Sequence, residues 1–204
     1  MADLRPQSDN ARSYDVYFYV AGGPRLFVRN PNHGIAVSDT GLVWTNYGKT
    51  RGVPFAEIAG IHLSTASAGN PQKVLDQCKI EFTSGPALTA FNTGATGLFS
   101  DAQTPIYRAF VRDLHARLAA SGAGATRFTA GMAPWRYNML RVTLIIAALF
   151  FIATPIVLLF VTNDWHTLIP AAMGVSLCWP LIRLMRNNTP RGYTPDTLPV
   201  ELIS

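Results

Sequence analysis

Cysteine is nearly missing from this chain: Cys78 and Cys178 are the only two in 204 residues. They fall in stretches of different character, one mixed and one continuously apolar, so no disulfide is expected between them. Two lone cysteines also fall short of any zinc pattern. The four histidines, His33, His62, His115 and His166, are not spaced with one another or with carboxylates as metal ligands are. No metal or cofactor is expected. Dense basic runs are missing as well. A net charge of +5, scattered along the chain, argues against nucleic acid as a partner and fits a protein facing an anionic leaflet. The opening M-A-D-L-R-P-Q-S-D-N has no apolar run after its first arginine. It therefore does not read as a signal peptide, and residues 1–13 read as a flexible N-terminus.

Charge is missing in one more place, and there the absence is informative. Between Arg141 and Asp164 the sequence runs V-T-L-I-I-A-A-L-F-F-I-A-T-P-I-V-L-L-F-V-T-N without a charged residue. About 20 apolar residues, each rising about 1.5 Å, match a hydrocarbon core of about 30 Å. A helix buried in a soluble protein would carry a polar stripe every three or four residues, and none is present. A second uncharged stretch, Thr167 to Ile182, is shorter, with Trp165 and His166 at one end and the snorkelling arginines Arg183 and Arg186 at the other. The expectation is a two-helix transmembrane hairpin: helix 1 over 135–163, a periplasmic loop at 164–166, helix 2 over 167–186, and a cytoplasmic tail over 187–204.

The arginines set its orientation. Arg136 and Arg141 lie before the first span, Arg183, Arg186 and Arg191 after the second, and the intervening loop carries only Asp164. The positive-inside rule puts the loop outside and both termini in the cytoplasm. No ionisable residue lies mid-span, which does not fit a transporter or pump acting alone. Pro155 after Thr154 predicts a kink, with the threonine satisfying a freed carbonyl. Pro170, Gly174 and Cys178 recur at i, i+4 and i+8 and make a small-residue helix-packing face, either against the first helix or onto a different membrane protein.

The remainder reads as one soluble domain over 14–120 with a linker at 121–134. Y-D-V-Y-F-Y-V, R-L-F-V-R, I-A-V, L-V-W-T-N, G-I-H-L-S-T, K-V-L-D-Q-C-K-I-E-F-T and A-L-T-A-F-N-T alternate as strands between Gly-, Pro- and Asp-rich turns. A single helix then closes the domain. Thr104 suits its N-cap, Pro105 its first position, and Gly122 its end. Tyr107, Phe110, Val111, Leu114 and Leu118 form its apolar stripe.

About six or seven antiparallel strands capped by one C-terminal helix make an α+β domain. The chain here resembles the bacterial pleckstrin-homology-like (PH-like) domains. The likeness is carried by S-D-T-G-L-V-W for the first hairpin, V-P-F-A-E-I-A-G-I-H-L for a strand introduced by a bend, and T-P-I-Y-R-A-F-V-R-D-L-H-A-R-L for the capping helix. It covers about 110 residues, Tyr14 to Leu118, and many members of the family carry transmembrane helices beside the domain. The resemblance implies a half barrel that binds partners or lipids without catalysis, in a multi-pass protein of the bacterial inner membrane.

Three sets of residues invite a functional reading. Asp39-Thr40-Gly41 has the tripeptide of an aspartic protease, yet Leu42 follows where a small residue is favoured, and the flanks put it at a hairpin tip where Asp and Gly are ordinary turn residues. Arg25, Lys49 and Arg51 lie where PH-like domains contact lipid headgroups, though without a dense basic cluster. Arg108, Arg112 and His115 share a helix face that reads as solvated. In the tail, Leu198, Val200 and Leu202 alternate, either to dock as a strand on an open sheet edge or as part of a disordered end. The functions in view are therefore an adaptor or accessory subunit of a larger membrane protein complex, an anionic-lipid sensor of the inner leaflet, and, remotely, a membrane-bound hydrolase. The expected partners are the lipid bilayer and that complex.

The arginine asymmetry yields a direct check. Reporter fusions at Ser204 and in the Asn163–His166 loop are expected in opposite compartments, with Ser204 cytoplasmic. A periplasmic signal from the Ser204 fusion would overturn the topology.

Overall fold

The computed structural model describes residues 10–21, 34–46, 48–67, 74–94, 98–122, 124–163, 166 and 169–199. The chain divides into two compact units. One is built from residues 1–130 and 191–204, the other from Gly131–Pro190.

In the first unit, β1 (Arg12–Tyr14) and β2 (Tyr17–Val20) are two halves of a strand that turns a corner at Asp15 and Val16. The Val16 N–H bonds the Tyr14 carbonyl at 2.9 Å, and the Val16 side chain is fully buried. This corner lets one strand serve two sheets. β1 pairs with β3 (Ile35–Val37), which continues to β4 (Gly41–Asn46) and β5 (Lys49–Pro54), all antiparallel. β2 instead pairs with the last strand of a second meander, β6 (Ile58–Ser67), β7 (Val74–Phe82) and β8 (Leu88–Phe91). Pro54 ends β5, where it removes no ladder bond from a central strand.

The core lies between these sheets and α1 (Gln103–Ala120). Trp44 of one sheet stacks on Phe82 of the other, ring centroids 5.4 Å apart, and Tyr14 meets Phe110 of α1 edge-on at 5.9 Å. Such pairs add about 0.5–1.5 kcal/mol each beyond the burial of their area. The helix stripe is as expected, with Tyr107, Phe110, Val111, Leu114 and Leu118 all buried. Its start differs. Ala102 occupies the N-cap position, and the Thr104 hydroxyl donates to the Ser100 carbonyl from within the first turn. Gly122, at φ +65°, ends it.

An α+β body of antiparallel meanders with a closing helix is the expected class. Three features depart from the sequence reading. The stretch expected as a linker over 121–134 contains β9 (Arg127–Ala130), which joins the six-stranded sheet parallel to β6. The expected tail contributes β10 (Arg191–Gly192), antiparallel to β9 on the sheet's edge. Strand order in that sheet is β10-β9-β6-β7-β8-β2. The flexible segment expected to residue 13 also ends sooner, because β1 begins at Arg12.

The second unit is a helix pair. α2 (Pro134–Ala148) runs through a π turn at Leu149–Ala153 into α3 (Thr154–Thr162). α4 (Ile169–Asn187) returns antiparallel, because the Met132 N–H at the start of the pair bonds the Asn188 carbonyl at its end, 2.9 Å away. The predicted disturbance at Pro155 takes the form of that π turn. Pro155 has no N–H to offer residue 151, and the Thr154 hydroxyl donates to the Leu149 carbonyl at 3.1 Å. Arg136 and Arg141, expected before the first span, lie within α2. Among the described residues, one helix, Pro134–Thr162, is long and apolar enough to cross a membrane, with a mean hydropathy of 3.0 in its most apolar window.

Two glycines permit the close contacts of this pair. Gly131 has φ +93°, and a side chain there would strike the Thr189 carbonyl. Gly174 is buried, and a Cβ on it would collide with the Cβ of Phe151 in the π turn. Gly174→Leu is therefore expected to push the helices apart and to destabilise the pair by about 1–3 kcal/mol, the usual range for overpacking. Thermal denaturation of the chain and the variant measures this. An unchanged midpoint would show that the Gly174–Phe151 contact contributes nothing.

Candidate functional site

Asp39-Thr40-Gly41 is the tip of the β3–β4 hairpin. The Ser38 hydroxyl accepts hydrogen bonds from the Thr40 and Gly41 N–H groups at 3.4 and 3.1 Å, so the turn is organised by Ser38. A side chain at Gly41 would strike the Val53 carbonyl on β5, which explains the glycine. The Asp39 carboxylate is half exposed and pairs with Arg117 of α1, whose Nε also binds Asp113 at 3.0 Å. An exposed pair of this kind contributes at most about 1 kcal/mol. It fastens the hairpin tip to the helix and commits Asp39 to a guanidinium.

Of the basic residues, Lys49 and Arg51 are exposed on β5, and Arg51 covers the turn at Gly85, while Arg25 lies outside the described residues. On α1, Arg112 is exposed and Arg108 is half buried, but His115 is completely buried. The solvated face expected for these three is thus corrected at His115. The signal was present in the sequence: Val111, His115 and Leu118 continue the apolar stripe at helical spacing.

His115 makes a polar contact between distant parts of the chain. Its Nδ1–H donates to the Val111 carbonyl at 2.7 Å, which leaves Nε2 as the acceptor for the Tyr193 hydroxyl at 2.8 Å. Tyr193 follows β10 directly. Its ring, His115 and Phe128 of β9 form an aromatic trio with centroids 5.5 to 5.7 Å apart. Burial lowers the His115 pKa to about 4, so the ring is neutral at physiological pH, and burial also raises that of Tyr193. Leu198 packs against the core from the same tail, while Val200 and Leu202 lie outside the described residues. The tail thus docks through Arg191–Gly192 and Tyr193, upstream of the residues expected to pair. Beside it is a groove of about 380 Å³ whose lining includes Leu118, Thr126, Phe128, Tyr193 and Pro195.

A second buried polar group lies on β7. Asp76 is 3% exposed, and burial raises its pKa to about 7 in spite of Arg108 nearby. The Asn92 amide donates to its carboxyl at 3.3 Å, and the Asp76 N–H bonds Asn92 Oδ1 at 2.9 Å. This reciprocal pair fixes the β7–β8 end of the sheet. Cys78, two residues on, is fully buried, and its thiol is pushed up to about 12, which makes it unreactive. Among the described residues no three His, Cys, Asp or Glu side chains come together as a metal site. In the helix pair, Pro170 lies in the first turn of α4, and Gly174 and Cys178 are both buried. Gly174 faces the π turn of the first helix, so that position is occupied within the pair.

The His115–Tyr193 bond gives a pH-dependent contribution with a definite sign. A histidine whose folded pKa is lowered contributes fully above its unfolded value of about 6.5 and loses that contribution as pH falls through about 4. The difference in stability between wild type and His115→Gln should fall by up to about 3 kcal/mol over that window. Comparison with the variant removes the opposing effect of Asp76, which favours the folded state at low pH. Tyr193→Phe should cost about 1–3 kcal/mol at pH 7, since it leaves Nε2 buried without a donor. Denaturant titrations at pH 7 and pH 4 measure both, and a pH-independent difference would refute the neutral-ring assignment.

No protein-family model matches this chain, and no curated protein matches it. Among solved structures, the Spt16D Pob3N heterodimer is similar over 55% of this chain and 53% of that one, with 17% identity and a TM-score of 0.34. The overlap spans about half of either chain.

Proposed function

We propose that this chain is a non-catalytic adaptor or accessory subunit, anchored by its helix pair in the bacterial inner membrane, whose PH-like domain binds a larger membrane protein complex. The observation that carries the reading is the pairing of Ala130 with Arg191. The chain leaves the domain and re-enters it on neighbouring strands, whose paired Cα atoms lie about 5 Å apart. A hydrocarbon core is about 30 Å thick, so this closeness supports a reading in which both ends of the helix pair lie on one side of it. That agrees with the orientation drawn from the arginines.

The outer surface of the pair supports the same reading. Val142, Ile146, Phe150, Val157, Phe160 and Val161 are all exposed, and a patch of that size is a liability in water and ordinary in lipid. α4 has 19 residues, about 28 Å, enough to span once Arg183 and Arg186 snorkel. Against a hydrolase stands the use of Asp39 as a turn residue paired with Arg117. Sensing of anionic lipid by the domain has support in exposed Lys49 and Arg51, and is the second reading.

Gentle detergent solubilisation followed by mass measurement of the intact assembly tests the proposal. The expected result is a set of integral membrane companions at fixed stoichiometry. A chain that runs alone would sink the adaptor reading and move lipid sensing ahead of it.

A further inference from the structure

The helix pair has a strongly uneven charge. Residues 131–190 contain four arginines, Arg136, Arg141, Arg183 and Arg186, and a single acid, Asp164, in the connection at the opposite end. All four arginines are exposed, and none takes part in the described ion pairs. Their depth follows from the contact between Gly174 and Phe151, which fixes how the two helices are aligned. At about 1.5 Å per residue, Arg141 lies about 15 Å along from Phe151, while Arg183 and Arg186 lie about 14 and 18 Å along from Gly174 in the same direction. Three arginine positions on two helices thus fall in one shallow layer. Arg136 lies about 7 Å further out. On α4, Trp179, Arg183 and Arg186 fall at i, i+4 and i+7, hence on one face, and Trp179 is 68% exposed one turn deeper. On α2, the Arg136 guanidinium stands 5.3 Å from the Trp135 ring centroid.

A partner for this layer must carry negative charge beside an apolar body. We infer that Trp179, Arg183 and Arg186, joined by Arg141 at the same depth, form a binding site for the headgroup of an anionic glycerophospholipid. The guanidinium forks match phosphate oxygens, and the indole covers the glycerol region and the upper acyl chain. A protein helix would have to bring carboxylates to the same layer, whereas an anionic leaflet supplies phosphates there at high density. The site is separate from Lys49 and Arg51 on the domain. It rests on the membrane reading of the helix pair.

The test uses the full chain in nanodiscs made from equal parts of phosphatidylcholine and phosphatidylglycerol, with native mass spectrometry of the lipids that leave with the protein. Wild type should carry phosphatidylglycerol several-fold over its share of the disc, and the excess should shrink as salt rises. Each arginine removed should lower the preference by up to about fivefold, so Arg183→Gln with Arg186→Gln should bring the ratio close to that of the disc. Arg183→Lys with Arg186→Lys keeps the charge and should retain most of the preference. A wild-type ratio equal to the disc's, or an unchanged ratio in the glutamine variant, overturns the site. Failure of the chain to enter these discs at all overturns the membrane reading as well, so the two failures are distinguishable.

Discussion

The structure depends on the chain coming back beside the place it left. Ala130 and Arg191 are neighbours across a two-residue ladder, with a separate compact unit of the chain threaded between them. That ladder is weak by itself. Backbone hydrogen bonds contribute about 1 kcal/mol each in net terms. Closing a long loop is opposed by an entropy that rises with the logarithm of its length. The return is held by the Met132–Asn188 bond at the base of the helix pair and by the residues after β10: Tyr193 bonded to His115, its ring against Phe128, and Leu198 on the core. Without those contacts β9 would be left as an exposed parallel edge.

The polar groups in this core act by fixing partners more than by adding energy. Burial keeps His115 neutral, and the Val111 carbonyl fixes which nitrogen carries the proton. Only one orientation of the ring then presents an acceptor to Tyr193. Asp76 and Asn92 do the same at the β7–β8 end, each satisfying the other's backbone or side chain. Leaving any of these groups unpaired would cost more than the bond itself contributes, which gives each a single acceptable neighbour.

Much of the domain was legible in the sequence because its elements carry their own period. The apolar stripe of α1 and the S-D-T-G hairpin needed no tertiary information, and the long uncharged run of the first helix stood out by length alone. The elements that escaped were short and settled by context. R-F-T-A has four residues, too few to show alternation, and follows a Gly-rich stretch that reads as linker. R-G has no strand signature at all and pairs because β9 offers it an edge. His115 reads as solvent-facing with its arginine neighbours because its residue type outweighs its place on the stripe. The small-residue face at Gly174 was visible, but its occupant was not. The collision with Phe151 depends on the π turn, which a sequence pattern does not encode.

The position of the helix pair within the domain also orders events in time. β9 leaves the ribosome about 60 residues before β10, so at about 5–20 residues per second the sheet waits several seconds for its last strand. During that interval the parallel edge is open and His115 Nε2 lacks the Tyr193 donor. Completion of the domain thus follows synthesis of both helices, and a chain interrupted between them displays an unfinished edge. Such an edge is the kind of surface that chaperones and proteases engage, so the nested order of the chain couples the maturity of one unit to the presence of the other.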